Sequence, residues 1–209
     1  MSAEKISSAL LKTGAVKLRP ESPFKWASGW NSPIYCDNRM TLSFPEVRTL
    51  IKNELLSLIK KQFADAEAIA GVATAGIPQG ALIADALNLP FIYVRPKPKD
   101  HGMENLIEGK ITEGQKVVVV EDLISTGGSS LKAVDALRDS KFNVLGMAAI
   151  FTYGFTVADE NFKKSQVKLF TLTDYSALVK QALEEKLIPQ EQLQSLEDWR
   201  KDPGNWRKN

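Results

Sequence analysis

Four consecutive valines, Val117 to Val120, are followed at once by Glu121 and Asp122, then by Leu123-Ile124-Ser125-Thr126-Gly127-Gly128-Ser129-Ser130. This run constrains the fold more than any other part of the chain. An unbroken row of β-branched residues predicts a strand buried on both faces, as in parallel sheets that carry helices on each side. The small-residue loop leads into Leu131, Ala133, Val134, Ala136 and Leu137, whose spacing predicts a helix. The expected unit is strand, loop, helix, with the two carboxylates where the strand ends. In an open parallel sheet, ligands bind outside the carboxyl ends of the strands, so the acids and the loop stand where a ligand would.

The chemistry of the loop narrows that ligand. Thr126 and Ser129 offer hydroxyls, and the Gly-Gly turn offers backbone N–H groups just before a helix start; these are the parts of a phosphate cradle. Glu121 and Asp122 repel phosphate but can accept hydrogen bonds from sugar hydroxyls. Together they read as a ribose-5-phosphate site. Taken alone, a strand-Gly-Gly-helix is as easily a capped turn with no ligand. The acidic pair shifts the balance, because charged residues are rarely buried without partners. No Lys-Ser or Lys-Thr follows the glycines, which excludes a Walker-type loop, and the G-x-G-x-x-G spacing is absent.

Around this unit the chain alternates. Residues 2 to 13 carry Ile6, Ala9, Leu10 and Leu11, an amphipathic helix. From Gly14 to Arg39 the sequence is punctuated by Pro and Gly, predicting loops and brief strands. Ser43 and Glu46 form a capping-box pattern ahead of Val47, Leu50, Ile51, Leu55, Leu58, Ile59 and Phe63, a long core-facing helix. Strands are expected at 68–72, 91–94, 117–120, 145–151 and 167–172, a helix at 77–87, and a terminal helix carrying Trp199. Alternating strands and helices predict an α/β fold with a mostly parallel central sheet flanked by helices. The whole chain, 1–209, reads as one domain without repeats or linkers.

Two further segments carry possible chemistry. Gly71-Val72-Ala73-Thr74-Ala75-Gly76-Ile77-Pro78 is a small-residue turn whose amides could cradle an anion or could merely connect strand to helix. Arg95-Pro96-Lys97-Pro98-Lys99-Asp100-His101-Gly102 opens an interval too long for a plain connection, and such loops tend to be functional or mobile. Its prolines favour an extended chain that spaces the basic side chains outward. By local sequence alone it is more readily a solvated polar face.

Bulk properties exclude several classes. The net charge is +2 over 209 residues, so no polyanion-binding surface follows and no nucleic-acid partner is expected. Cys36 is the only cysteine, which forbids an intrachain disulfide and suits a reducing cytoplasm. One histidine, His101, cannot build a zinc site. No apolar stretch approaches a membrane span.

The segment from Val117 to Ser130 resembles the PRPP-binding motif of type I phosphoribosyltransferases, an apolar strand, two acids and a Thr-Gly-Gly loop. The resemblance implies that fold with a small N-terminal hood, built from about residues 1–40 and part of the C-terminal region. It implies PRPP contacts from Glu121, Asp122, Leu123, Ile124, Ser125, Thr126, Gly127, Gly128 and Ser129. Arg-x-x-x-Lys-x-His-Gly after a strand resembles the flexible catalytic loop of orotate phosphoribosyltransferases, so Arg95, Lys99, His101 and Asp122 are the expected catalytic residues, with Arg95, Lys99 and His101 implied as PRPP contacts too. In that family the loop closes over a neighbouring subunit's site, implying a homodimer that shares the Arg95–His101 segment.

The segment Ser28-Gly29-Trp30-Asn31-Ser32-Pro33-Ile34-Tyr35 is similar to the orotate-type N-terminal core. It implies orotate contacts from Tyr35 and from Arg39, whose planar guanidinium suits a carboxylate, together with Thr126. The sequence departs from the family at Ala27 and Ala75, where many members carry lysines. The implied reaction joins orotate to the ribose of PRPP, with Mg2+ carried by PRPP and not held in a protein cage. A purine or xanthine phosphoribosyltransferase would share the PRPP motif without the Ser-Gly-x-x-Ser-Pro segment. A PRPP-sensing regulator would need a DNA-binding module, and a purely structural protein leaves the acids and basic loop unexplained.

Overall fold

The computed structural model describes residues 3–26, 29–97 and 106–207. In chain order the elements are α1 (Ala3–Lys12), β1 (Val16–Leu18), β2 (Phe24–Lys25), β3 (Asn31–Ser32), β4 (Ile34–Cys36), a 3-10 turn (Asn38–Ser43), α2 (Pro45–Gln62), β5 (Ala68–Val72), α3 (Gly76–Leu87) and β6 (Phe91–Val94). They continue with β7 (Ile107–Glu108), β8 (Lys116–Ile124), α4 (Gly128–Asp139), β9 (Asn143–Thr152), α5 (Thr156–Lys164), β10 (Leu169–Asp174), α6 (Tyr175–Glu184), a 3-10 turn (Gln190–Gln192) and α7 (Leu193–Lys201). The chain divides into two compact units, Met1–Arg48 with Thr173–Asn209, and Thr49–Leu172.

The second unit is organised by a six-stranded sheet in the order β10-β9-β8-β5-β6-β7. β5 runs parallel to both β6 and β8, and β8 runs parallel to β9, while the two-residue β7 is antiparallel to β6. The α3 crossover carries the chain from β5 to β6, and the α4 crossover carries it from β8 to β9 on the other side. Strand order therefore reverses between β5 and β8, and the crevice beyond their carboxyl ends is the place where such a sheet takes a ligand.

The valines earn their position. Val117 to Val120 are all fully buried, with Val117 and Val119 in one apolar cluster with Leu131, Val134 and Leu137 of α4. On α3, a Cβ at Gly76 would lie 2.4 Å from the Val120 carbonyl oxygen, so the helix rests on β8 at a distance only glycine permits.

The first unit is held by aromatics. Trp199 of α7 is fully buried, donates from Nε1 to the Asn31 carbonyl at 3.1 Å, and meets Trp26 edge-on at 5.5 Å between ring centroids. Tyr175 packs on the same indole and donates its hydroxyl to the Leu196 carbonyl at 3.0 Å. α1 is tied through Ser7, whose hydroxyl pairs with that of Thr173 at 2.7 Å.

Two expectations need correction. β8 does not stop before the acids: it runs through them to Ile124, pairing Glu121 with Ala149 and Leu123 with Phe151. The apolar Leu123-Ile124 pair and the long partner β9 extend the ladder past the charges. The Ser43–Glu46 capping box does not start α2. Ser43 closes the preceding 3-10 turn and Pro45 opens the helix, its fixed φ and missing N–H suiting the first helical position. The interval 95–115 also contains β7, too short to announce itself by alternation.

Candidate functional site

Adjacent residues of a strand send their side chains to opposite faces. Glu121, like Val117 and Val119, turns toward α4, where Ser130 donates its hydroxyl to Oε2 at 3.0 Å. Its other oxygen, Oε1, accepts the backbone N–H of Asp122 at 3.0 Å. Glu121 is only 6% exposed. Burial pushes its carboxyl up to about 8, and the neighbouring Asp122 charge adds to the rise. The two acids are thus unequal. Glu121 keeps its proton near neutrality, whereas Asp122 is half-buried at the crevice.

Beyond Ile124, which is fully buried in the core, the chain turns through Ser125, Thr126 and Gly127 into α4. Gly127 has φ +79°, and a Cβ there would lie 2.7 Å from the Phe162 ring. Both facts favour glycine. α5 fixes the loop from beneath, since Asn161 Nδ2 donates to the Thr126 carbonyl at 3.0 Å. Thr126, Gly128 and Ser129 are exposed at the mouth of α4, whose first-turn N–H groups have no partners within the helix.

The turn after β5 comes to the same place. Ala73 N–H bonds the Val94 carbonyl at 2.9 Å, Ile77 N–H reaches Thr74 at 3.3 Å, and the Ala73–Thr74 peptide is cis. Val72, Ala73, Thr74 and Ala75 line a cavity of about 310 Å³ together with Glu121, Asp122, Leu123 and the Ser125–Ser130 loop. Of the PRPP contacts expected between Glu121 and Ser129, all but Ile124 line it, while Arg95, also an expected PRPP contact, does not. The arrangement has the means to grip a phosphate at a helix start and a polyol beside a carboxylate.

A second cavity of about 460 Å³ adjoins it, sharing Val72, Ala73 and Ser129 as walls and carrying Arg95 and Lys132. Arg95 Nη1 lies 3.5 Å from Oε1 of Glu108. Lys99 and His101 lie outside the described residues. Tyr35 and Arg39 belong to the first unit. The Tyr35 ring is exposed and sits 5.6 Å from Phe24, and Arg39 places Nε and Nη2 on the Asp37 carboxylate at 2.7 and 2.9 Å. Among the described residues, no group of three or more His, Cys, Asp or Glu is arranged to hold a metal, and no helix is long and apolar enough to cross a membrane.

Sequence reasoning missed Ser130, which lines the cavity while holding Glu121, and Asn161 and Phe162, which support the loop from α5. Ser130 carried a signal, being a hydroxyl in the first turn of the helix that follows a buried acid. Asn161 and Phe162 carried none, because their role depends on α5 folding back under the loop.

Comparison with known proteins places this geometry. The model of the phosphoribosyl transferase domain matches residues 41–181. An orotate phosphoribosyltransferase of Cytophaga hutchinsonii is 65% identical over 98% of this chain and 98% of its own length. One of Bacteroides thetaiotaomicron is 61% identical over 94% of this chain and 93% of its own. The crystal structure of orotate phosphoribosyltransferase from Aeropyrum pernix superimposes with a TM-score of 0.77 at 30% identity, covering 88% of this chain and 99% of that one.

Proposed function

The chain belongs to the phosphoribosyltransferase family and, within it, to the orotate phosphoribosyltransferases, and we propose that PRPP is held and cleaved in the crevice between β5 and β8. The reaction transfers phosphoribosyl from PRPP to orotate, giving orotidine 5′-monophosphate and pyrophosphate in pyrimidine biosynthesis. The single observation that carries the site reading is the cavity joining the acidic end of β8, the Gly127-Gly128 loop and the turn after β5.

In this reading the 5′-phosphate sits on the Ser125–Ser129 loop, where hydroxyls and first-turn N–H groups converge. Asp122, the acid at the crevice, accepts from the ribose hydroxyls, and Glu121 backs it as a neutral carboxyl locked to Ser130. The ring nitrogen of orotate attacks the anomeric carbon as the carbon–oxygen bond to diphosphate breaks, and the bonding pair leaves with pyrophosphate. Configuration inverts through an oxocarbenium-like state, so no protein nucleophile is required. Catalysis then comes from positioning and from cations facing the leaving group. Arg95, Lys99 and His101 fill that role, and losing one costs roughly 2–4 kcal/mol of barrier.

A carboxyl beside a phosphate cradle suits Mg2+ that keeps its diphosphate ligands, since this ion favours one or two carboxylates plus substrate oxygens. Bound with PRPP, Mg2+ would neutralise charge on the diphosphate, with Asp122 the acid placed to meet it, since Glu121 is buried and turned toward α4. Orotate contacts are assigned on chemistry: Arg39 for the carboxylate, Tyr35 for the ring, Thr126 from the loop. The two units act as one phosphoribosyltransferase domain, the first supplying the hood. The enzyme works in the cytoplasm as a homodimer that shares the Arg95–His101 segment between subunits.

Titration calorimetry with PRPP and Mg2+ tests the site. Heat of binding is expected for the native enzyme and a weakened response for Asp122→Asn; unchanged affinity would remove Asp122 from the ribose. Lys99→Ala with normal turnover at saturating substrates would remove that residue from the chemistry.

A further inference from the structure

Arg95 is the first residue beyond β6, and its place is set by the strand opposite. Val94 pairs with Ile107 and Tyr93 with Glu108, and Arg95 N–H bonds the Leu106 carbonyl at 2.8 Å. Glu108 is therefore the diagonal neighbour of Arg95, two residues along from Leu106 on the same face, where long side chains can meet. They do, at 3.5 Å between Nη1 and Oε1, with both side chains less than a third exposed. Gly109 follows at φ +116°, and a Cβ there would lie 2.8 Å from Ile92 Cγ2, so the chain after Glu108 packs closely against β6 at a place that favours glycine.

We infer that Glu108 is a positioning residue for the reaction, holding the Arg95 guanidinium at the edge of the PRPP crevice. The inference deepens the proposed function and rests on Arg95 meeting the diphosphate. The contact is end-on through one nitrogen and at the outer limit of hydrogen-bond distance. It steers the side chain while the rest of the planar fork can still serve an anion. Arg95 lines the cavity whose walls Val72, Ala73 and Ser129 also close the crevice, so a ligand reaching past Ser129 and Ala73 comes up against the guanidinium. An arginine without Glu108 would spread over its rotamers and lose that preorganisation.

A double-mutant cycle on the purified full-length enzyme tests this, with KM for PRPP, KM for orotate and kcat measured separately. Glu108→Gln is expected to raise KM for PRPP roughly five- to twentyfold and to leave KM for orotate within about twofold, a split that general loosening does not produce. Glu108→Asp should recover part of the loss. In an Arg95→Ala background, Glu108→Gln should add less than about twofold, because the residue it steers is gone. Equal effects in both backgrounds, or an unchanged KM for PRPP in Glu108→Gln, overturn the inference while leaving Arg95 in place. If Arg95→Ala alone leaves PRPP kinetics untouched, the assignment of Arg95 fails, and the steering role fails with it. Should Glu108→Gln fold poorly by thermal melting, Glu108→Asp carries the same cycle.

Discussion

Ser130 and Glu121 are joined across 3.0 Å, the hydroxyl of α4's first turn donating to Oε2 of an acid inside β8. The bond ties the helix to the strand whose end forms the crevice. Ser130→Ala removes one of the two partners that the buried carboxyl has among the bonds described. Leaving a buried polar atom unsatisfied costs about 1–3 kcal/mol, and for a chain of this size each kcal/mol lowers the melting temperature by about 2–4 °C. A melting curve superimposable on that of the native protein would mean the bond contributes nothing to the fold.

Glu121 makes stability depend on pH in an unusual direction for a carboxyl. Its folded value of about 8 stands above the ordinary 4.5, chiefly through burial. Between those two values the folded chain keeps a proton that the unfolded chain has shed. Stability from this group is complete below the ordinary value and is lost as pH rises through the window, with a slope of up to about 1.4 kcal/mol per pH unit. Asp37, held below its usual range by the hydrogen bond from Arg39, acts the other way and only in more acidic solution. Glu121→Gln should flatten the decline seen in urea midpoints between pH 5 and 8. An equally steep decline in the variant assigns the effect to other groups.

The strands and the acidic site could be read from the sequence because their signals are local. Val117–Val120 is a buried strand in any context, and two acids before a Gly-Gly turn need a partner or a ligand. What escaped were features decided by distant residues. β8 extends through Glu121 and Asp122 because β9 offers matching length, which no property of residues 117–124 reveals. The inequality of the two acids depends on which one faces α4 and meets Ser130. α5 beneath the loop and Glu108 beside Arg95 are likewise products of chain reversal, invisible to spacing along the chain.

Gly127 and Gly128 are adjacent but should respond oppositely to alanine. At Gly127 the backbone has φ +79° and the new methyl would press 2.7 Å from the Phe162 ring. Strain and overpacking together predict a loss of about 1–3 kcal/mol. Gly128 opens α4, its nearest neighbour for a Cβ being Thr126 Oγ1 at 3.8 Å. Alanine there makes only an ordinary contact in a helical residue, so stability should hold or rise by up to about 1 kcal/mol. Urea unfolding of the two variants decides it, and a similar loss in both would mean the loop conformation assigned here is wrong.

Arg39 offers the last test, because its fork already rests on a carboxylate. Nε and Nη2 lie 2.7 and 2.9 Å from the two oxygens of Asp37, on a side chain that is 59% exposed. A pair that open to water is worth about 0–1 kcal/mol, so an incoming carboxylate can take the guanidinium over at little cost. If orotate is that carboxylate, Arg39→Ala removes charged hydrogen bonds worth about 1.5–3 kcal/mol, raising KM for orotate roughly 10- to 100-fold while KM for PRPP stays within about twofold. Asp37→Asn withdraws the competing acceptor and should leave KM for orotate equal or slightly lower. A rise in Asp37→Asn to match Arg39→Ala would mean that Asp37 aims the guanidinium and does not compete for it. An unchanged KM for orotate in Arg39→Ala would transfer recognition of the carboxylate to another residue.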